Sequence, residues 1–66
     1  MQMRNQLGYM RQTVRGMSQE QLSRISGVSR QAISEIELNK RIPSVETALK
    51  LAKALKVKVE DIFMLD

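Results

Sequence analysis

The stretch QEQLSRISGVSRQAISEI, residues 19–36, decides how this chain folds. Gly27 divides it, and glycine accepts the positive φ of a sharp turn without steric cost. Leu22 and Ile25 before the glycine, and Ile33 and Ile36 after it, recur at helical spacing. The reading is two short helices joined by a tight turn. The first runs over about 19–26 and the second from its cap, Ser29, to about Leu38. Val28 is expected to plug the corner between them, and Ala32 is small enough for a close helix crossing.

Toward the N-terminus, a helix over about 5–15 carries Leu7, Met10 and Val14 on one face, with Gly8 as its weak point. Gly16 ends it. Ser18 then offers a side-chain oxygen to the free amides of the next helix, and Gln21, three residues on, completes a capping box. Toward the C-terminus, 39–43 is a loop: Asn39 tolerates a left-handed helix end, and Pro43 restrains Ile42 to extended geometry. Ser44 caps a fourth helix whose Val45, Ala48, Leu49, Ala52 and Leu55 form a broad apolar face. A last helix over about 59–65 opens with Glu60 and Asp61, the charge that suits a helix N-terminus. One Tyr, one Phe and no alternating β-branched run argue against sheet. The expected fold is all-α, a compact bundle of five short helices in one domain over 1–66, with the helix-turn-helix at about 18–38.

Composition narrows the function. With no Cys and no His, disulfides, thiolate or imidazole metal sites and the usual nucleophile and base pairings are excluded, and no cofactor or catalytic set suggests itself. No apolar run approaches the eighteen or so residues of a membrane span, and the start, MQMRNQLGYM, lacks the apolar stretch of a signal peptide, so a soluble cytoplasmic protein is expected. The 11 Lys and Arg against 7 Asp and Glu leave a formal charge of +4, which favours polyanions.

On a helical wheel Arg30, Gln31, Ser34, Glu35 and Leu38 share one arc of the second helix of the pair, opposite Ile33, Ile36 and Ala32. Arg can grip guanine O6 and N7 with two bonds, Gln can grip adenine N6 and N7, and Ser bonds either base. Arg30 and Gln31 lie in the first turn, the part of a recognition helix that enters a major groove deepest. An ordinary solvated helix face has the same residue types. Glu35 stands out, because a carboxylate facing DNA repels phosphates unless it accepts a bond from cytosine N4.

From Met17 to Phe63 the chain resembles the Cro and phage-repressor-like helix-turn-helix family, also called the xenobiotic-response-element type. The resemblance is carried by GMSQEQL, GVSRQAISEIE, KRIPS, TALKLAKALKV and VEDIF. It implies a lambda-repressor-like DNA-binding domain and a short stand-alone regulator of transcription. It further implies that Arg30, Gln31 and Ser34 face base edges. Gln19, Ser29, Lys40 and Arg41 would serve the phosphates or brace the base-reading side chains. Arg11 and Glu37 match a buried pair of the family that joins helix one to the end of helix three, although the spacing from Arg11 to Gly16 is one residue longer than the family pattern. Leu38 replaces an asparagine that commonly contacts phosphate; it would meet either a thymine methyl or a neighbouring side chain. Lys56 stands where a helix-ending glycine or asparagine is common. Arg24 is expected to be a solvent-exposed residue of helix two.

One recognition helix covers too few base pairs to find a site among many competitors, so a homodimer on double-stranded DNA is expected. Surplus apolar residues near the C-terminus place the interface at Met64 and Leu65, with Met1 and Met3 beside them, while Phe63 is assigned to the core. The expected function is sequence-specific repression from an inverted-repeat operator. A second reading, an antitoxin-like protein-binding module whose DNA contact serves autoregulation, stays open at this point.

Overall fold

The structure, a computed structural model, describes residues 3–65. In chain order the elements are β1 (Met3–Asn5), α1 (Leu7–Tyr9), a π-helical turn (Met10–Val14), α2 (Gln19–Ser26), α3 (Arg30–Glu37), α4 (Val45–Leu55), α5 (Val59–Ile62) and β2 (Phe63–Leu65). The mostly helical globule anticipated from the sequence is present, with one addition. β1 and β2 form an antiparallel two-stranded sheet in which Met3 faces Leu65, Arg4 faces Met64 and Asn5 faces Phe63.

Helix starts follow the local chemistry. Ser18 Oγ accepts from the Gln21 amide at 3.0 Å while Gln21 Oε1 accepts from the Ser18 amide at 2.8 Å, the two halves of a capping box. Ser29 caps α3 through the Ala32 amide and Ser44 caps α4 through the Thr47 amide, each at 3.1 Å. Helix ends rest on left-handed residues. Gly27 turns the chain at φ 77°, and Asn39 and Lys56 take φ 61° and 59°. At Asn39 the amides of Asn39 and Lys40 return to the carbonyls of Ile36 and Glu35, which satisfies two groups that α3 would otherwise leave open.

The first helix differs from expectation. It starts at Leu7 instead of about residue 5, because Asn5 is in β1 and its Oδ1 accepts from the Leu7 amide at 3.2 Å. From Met10 the turn widens: the Arg15 amide bonds the Met10 carbonyl five residues back, at 3.0 Å. A π turn accommodates one residue more than an α turn. That extra residue is the long spacing between Arg11 and Gly16.

The core is Leu7, Leu22, Val28, Ala32, Ile33, Ile36, Leu51, Ala52, Leu55 and Ile62, with Met10 and Phe63 packed against it. Val28 fills the α2–α3 corner as anticipated. Ile25 does not join the core; it is 59% exposed at the end of α2. α4 is rotated from the expected face, burying Leu51 with Ala52 and Leu55 and leaving Val45 and Leu49 exposed. The helix expected over 59–65 stops at Ile62, since Phe63 takes extended backbone at φ −116°, ψ 128° and pairs with β1. The expectation for Met1 lies outside the described residues, among which no helix is long and apolar enough to cross a membrane.

Candidate nucleic-acid interface

α3 is held by its inner face and both ends, which leaves one face to the surroundings. Ile33 and Ile36 are fully buried beneath it. At its C-terminal end, Asn5 Nδ2 donates to the Ile36 carbonyl at 3.0 Å and to Asn39 Oδ1 at 2.8 Å, which ties β1 to the end of α3. The sequence assigned Asn5 to a helix. An asparagine just before a helical run is the cap-like signal that could have found it.

The last residue of α3, Glu37, is the hub of the support. Its carboxylate accepts from Arg11 Nε at 2.7 Å and Arg11 Nη2 at 3.0 Å, and from Gln19 Nε2 at 3.0 Å. Arg11 Nη1 also donates to the Met17 carbonyl at 2.9 Å. The hydrogen bond to Glu37 raises the Arg11 pKa, outweighing the opposing effect of burial. Gly8 lies beside this carboxylate, where a Cβ would stand 3.4 Å from Glu37 Oε1, in ordinary van der Waals contact. The pair expected between Arg11 and Glu37 is thus present with two-pronged geometry, and Gln19 joins it.

On the outer side, Gln19, Arg30, Gln31, Ser34, Glu35, Leu38 and Lys40 line one concave surface. A second hollow next to it shares Gln19 and Arg30 and adds Arg11, Gln12, Ser18 and Glu20. Arg30 and Gln31 are exposed, and Ser34 and Glu35 are half-buried. The structure therefore brings all three residues expected to read bases onto one surface, with Gln19 and Lys40 at its edges. Ser29 sits at the head of α3 with its hydroxyl committed to the Ala32 amide.

Arg41 is placed differently from a free phosphate anchor. Its Nη2 lies 2.7 Å from Glu35 Oε1, and Glu35 Oε2 accepts from Gln31 Nε2 at 3.4 Å. The carboxylate that looked out of place on this face is thereby neutralised. Arg24 is exposed and pairs with Glu20 at 3.6 Å along α2. Arg15, to which the sequence assigned no role, donates to the Leu55 carbonyl at 2.7 Å and the Lys56 carbonyl at 3.3 Å, closing the end of α4.

Comparison with known proteins agrees with this geometry. The helix-turn-helix family profile matches residues 7–62. An uncharacterized HTH-type transcriptional regulator of Methanocaldococcus jannaschii is 47% identical over 62 residues, which covers 94% of this chain and 92% of the relative. The HTH-type transcriptional regulator YgzD of Bacillus subtilis is 45% identical over 51 residues, 77% of each chain. Among solved structures, the restriction-modification controller protein C.AhdI from Aeromonas hydrophila superposes with a TM-score of 0.77 at 34% identity, over 83% of this chain and 82% of that one.

Proposed function

This chain belongs to the helix-turn-helix family and is a DNA-binding transcriptional regulator, and from that premise we propose that it acts in the cytoplasm as a homodimeric repressor, each protomer reading half of an inverted-repeat operator with α3. The observation that carries this reading is the outer face of α3, where Arg30, Gln31 and Ser34 sit together on a surface edged by Gln19 and Lys40. Arg30 and Gln31 in the first turn would meet base edges, Ser34 one turn later would bond a neighbouring base, and Lys40 would hold a phosphate. Gln19 and Ser29 serve by support: one ties to Glu37, the other caps α3. Occupying the operator blocks polymerase.

Two-fold symmetry of the protein matches the operator, with half-sites about 10 base pairs apart, one helical turn. We assign the dimer interface to Met64 and Leu65 on β2. Leu65 is 68% exposed, and Met64 is half-buried beside Gln6. Two further large apolar side chains, Ile42 in the loop before α4 and Val45 at its first residue, are each 78% exposed and offer the comparison site. Sedimentation of Met64→Lys/Leu65→Lys should give monomers, whereas Ile42→Lys/Val45→Lys should remain dimeric. The reverse pattern would move the interface to the start of α4, and a wild-type monomer bound singly to DNA would sink the dimeric reading.

A further inference from the structure

Arg41, Glu35 and Gln31 are linked in a line across the outer face of α3. The left-handed Asn39 ends the helix and turns the chain back, so that Arg41 lies over the last turn with its Nη2 2.7 Å from Glu35 Oε1. The other carboxylate oxygen, Oε2, takes the Gln31 amide nitrogen at 3.4 Å, one helical turn away. Lys40, next to Arg41 in sequence, borders the same surface without such a link.

The chemistry of the link is directional. An ionised carboxylate only accepts hydrogen bonds, so the end of the Gln31 amide that faces Glu35 has to be the NH2 group, and its oxygen points elsewhere. Arg41 holds the other carboxylate oxygen at 2.7 Å and offsets its negative charge toward nearby phosphates. An unrestrained glutamine amide can turn over, exchanging donor and acceptor. Adenine in the major groove offers N6–H as donor and N7 as acceptor, in that order, so a reader of adenine gains from an amide whose polarity is set in advance.

We propose that Arg41 and Glu35 are positioning residues that set the polarity of the Gln31 amide, which makes Arg41 a determinant of base specificity instead of a phosphate anchor. The inference rests on the reading of Gln31 as a base contact. It also gives the carboxylate of Glu35 a task on a surface where a bare negative charge would oppose binding.

The test measures binding of wild type, Arg41→Ala, Glu35→Ala and Lys40→Ala to the operator that wild type selects and to its single-base variants, over a salt series. Arg41→Ala and Glu35→Ala should each lose at least about fivefold of discrimination, at the same base pair that Gln31→Ala affects, and leave the other positions as they were. Lys40→Ala should lower the slope of log affinity against log salt by about one per protomer and leave base preference intact. If Arg41→Ala instead behaves as Lys40→Ala does, Arg41 is a phosphate anchor and the proposal is wrong. Unchanged discrimination in Glu35→Ala overturns it equally. If wild type selects no operator, the reading of Gln31 falls first and this inference with it. Loss at a base that Gln31→Ala does not affect would overturn it as well, since the two residues would then act apart from Gln31.

Discussion

The guanidinium of Arg11 and the carboxylate of Glu37 meet through two bonds, Nε to Oε2 at 2.7 Å and Nη2 to Oε1 at 3.0 Å, and so tie the first helix to the last residue of α3. Both side chains are largely buried, 8% and 13% exposed. The contact is structural, yet it decides how the outer face of α3 is presented, because Gln19 shares the same carboxylate.

Removing one member of a buried ion pair leaves the other charge without compensation, at a cost of about 3 to 5 kcal/mol. Glu37→Ala should therefore lower the urea midpoint sharply, and Glu37→Gln, which keeps acceptor and shape, should lower it less. Because the pairing raises a cation's pKa that is already strongly alkaline, Arg11's contribution is complete below its unfolded value and is lost only as pH rises through the folded one. The Arg11 share of stability should thus be flat through neutral pH. An Ala variant as stable as wild type would show that the pair contributes nothing.

Lys56 ends α4 in left-handed backbone at φ 59°, a conformation that costs a side-chain-bearing residue roughly 1 kcal/mol and glycine almost nothing. Lys56→Gly is expected to raise stability by up to about 1 kcal/mol, less the entropy glycine returns to the unfolded chain. Thermal melting reads this effect, and a lowered Tm would contradict the expectation.

How much was legible in the sequence follows from which interactions are local. Ser18, Ser29 and Ser44 each cap the amide three positions ahead, so the starts of α2, α3 and α4 could be read off the chain. β2 could not. Its extended backbone depends on Met3–Asn5 at the other end of the chain, and nothing near Phe63 announces that partner. The buried face of α4 was misread for a similar reason. Both Leu49 and Leu51 fit an apolar stripe, and only packing against the rest of the bundle selects Leu51. The outer face of α3 was legible as a set of residues, because the helical wheel fixes who shares an arc. Arg41 over Glu35 was not, since a turn beyond the helix creates it.

Gln31→Ala should weaken binding to the preferred operator by roughly 1 to 3 kcal/mol and relax preference at one base pair. Titration against single-base operator variants separates this from a general loss. Equal weakening on every sequence would remove Gln31 from the base-reading set.

Lys40→Ala should reduce the salt dependence of binding, lowering the slope of log affinity against log salt by about one for each phosphate that a protomer no longer holds, with relative affinities among sequences preserved. Affinity measured at several salt concentrations checks it, and an unaltered slope would mean that Lys40 holds no phosphate.

Whether α3 reads sequence from a symmetric dimer is decided by selection from a random duplex pool at about 150 mM salt, because nonspecific phosphate attraction weakens there while specific contacts persist. A dimer reading with α3 should enrich an inverted repeat with half-sites about 10 base pairs apart, centre to centre. A folded protein that enriches no sequence, or only an unrepeated half-site, would contradict that reading.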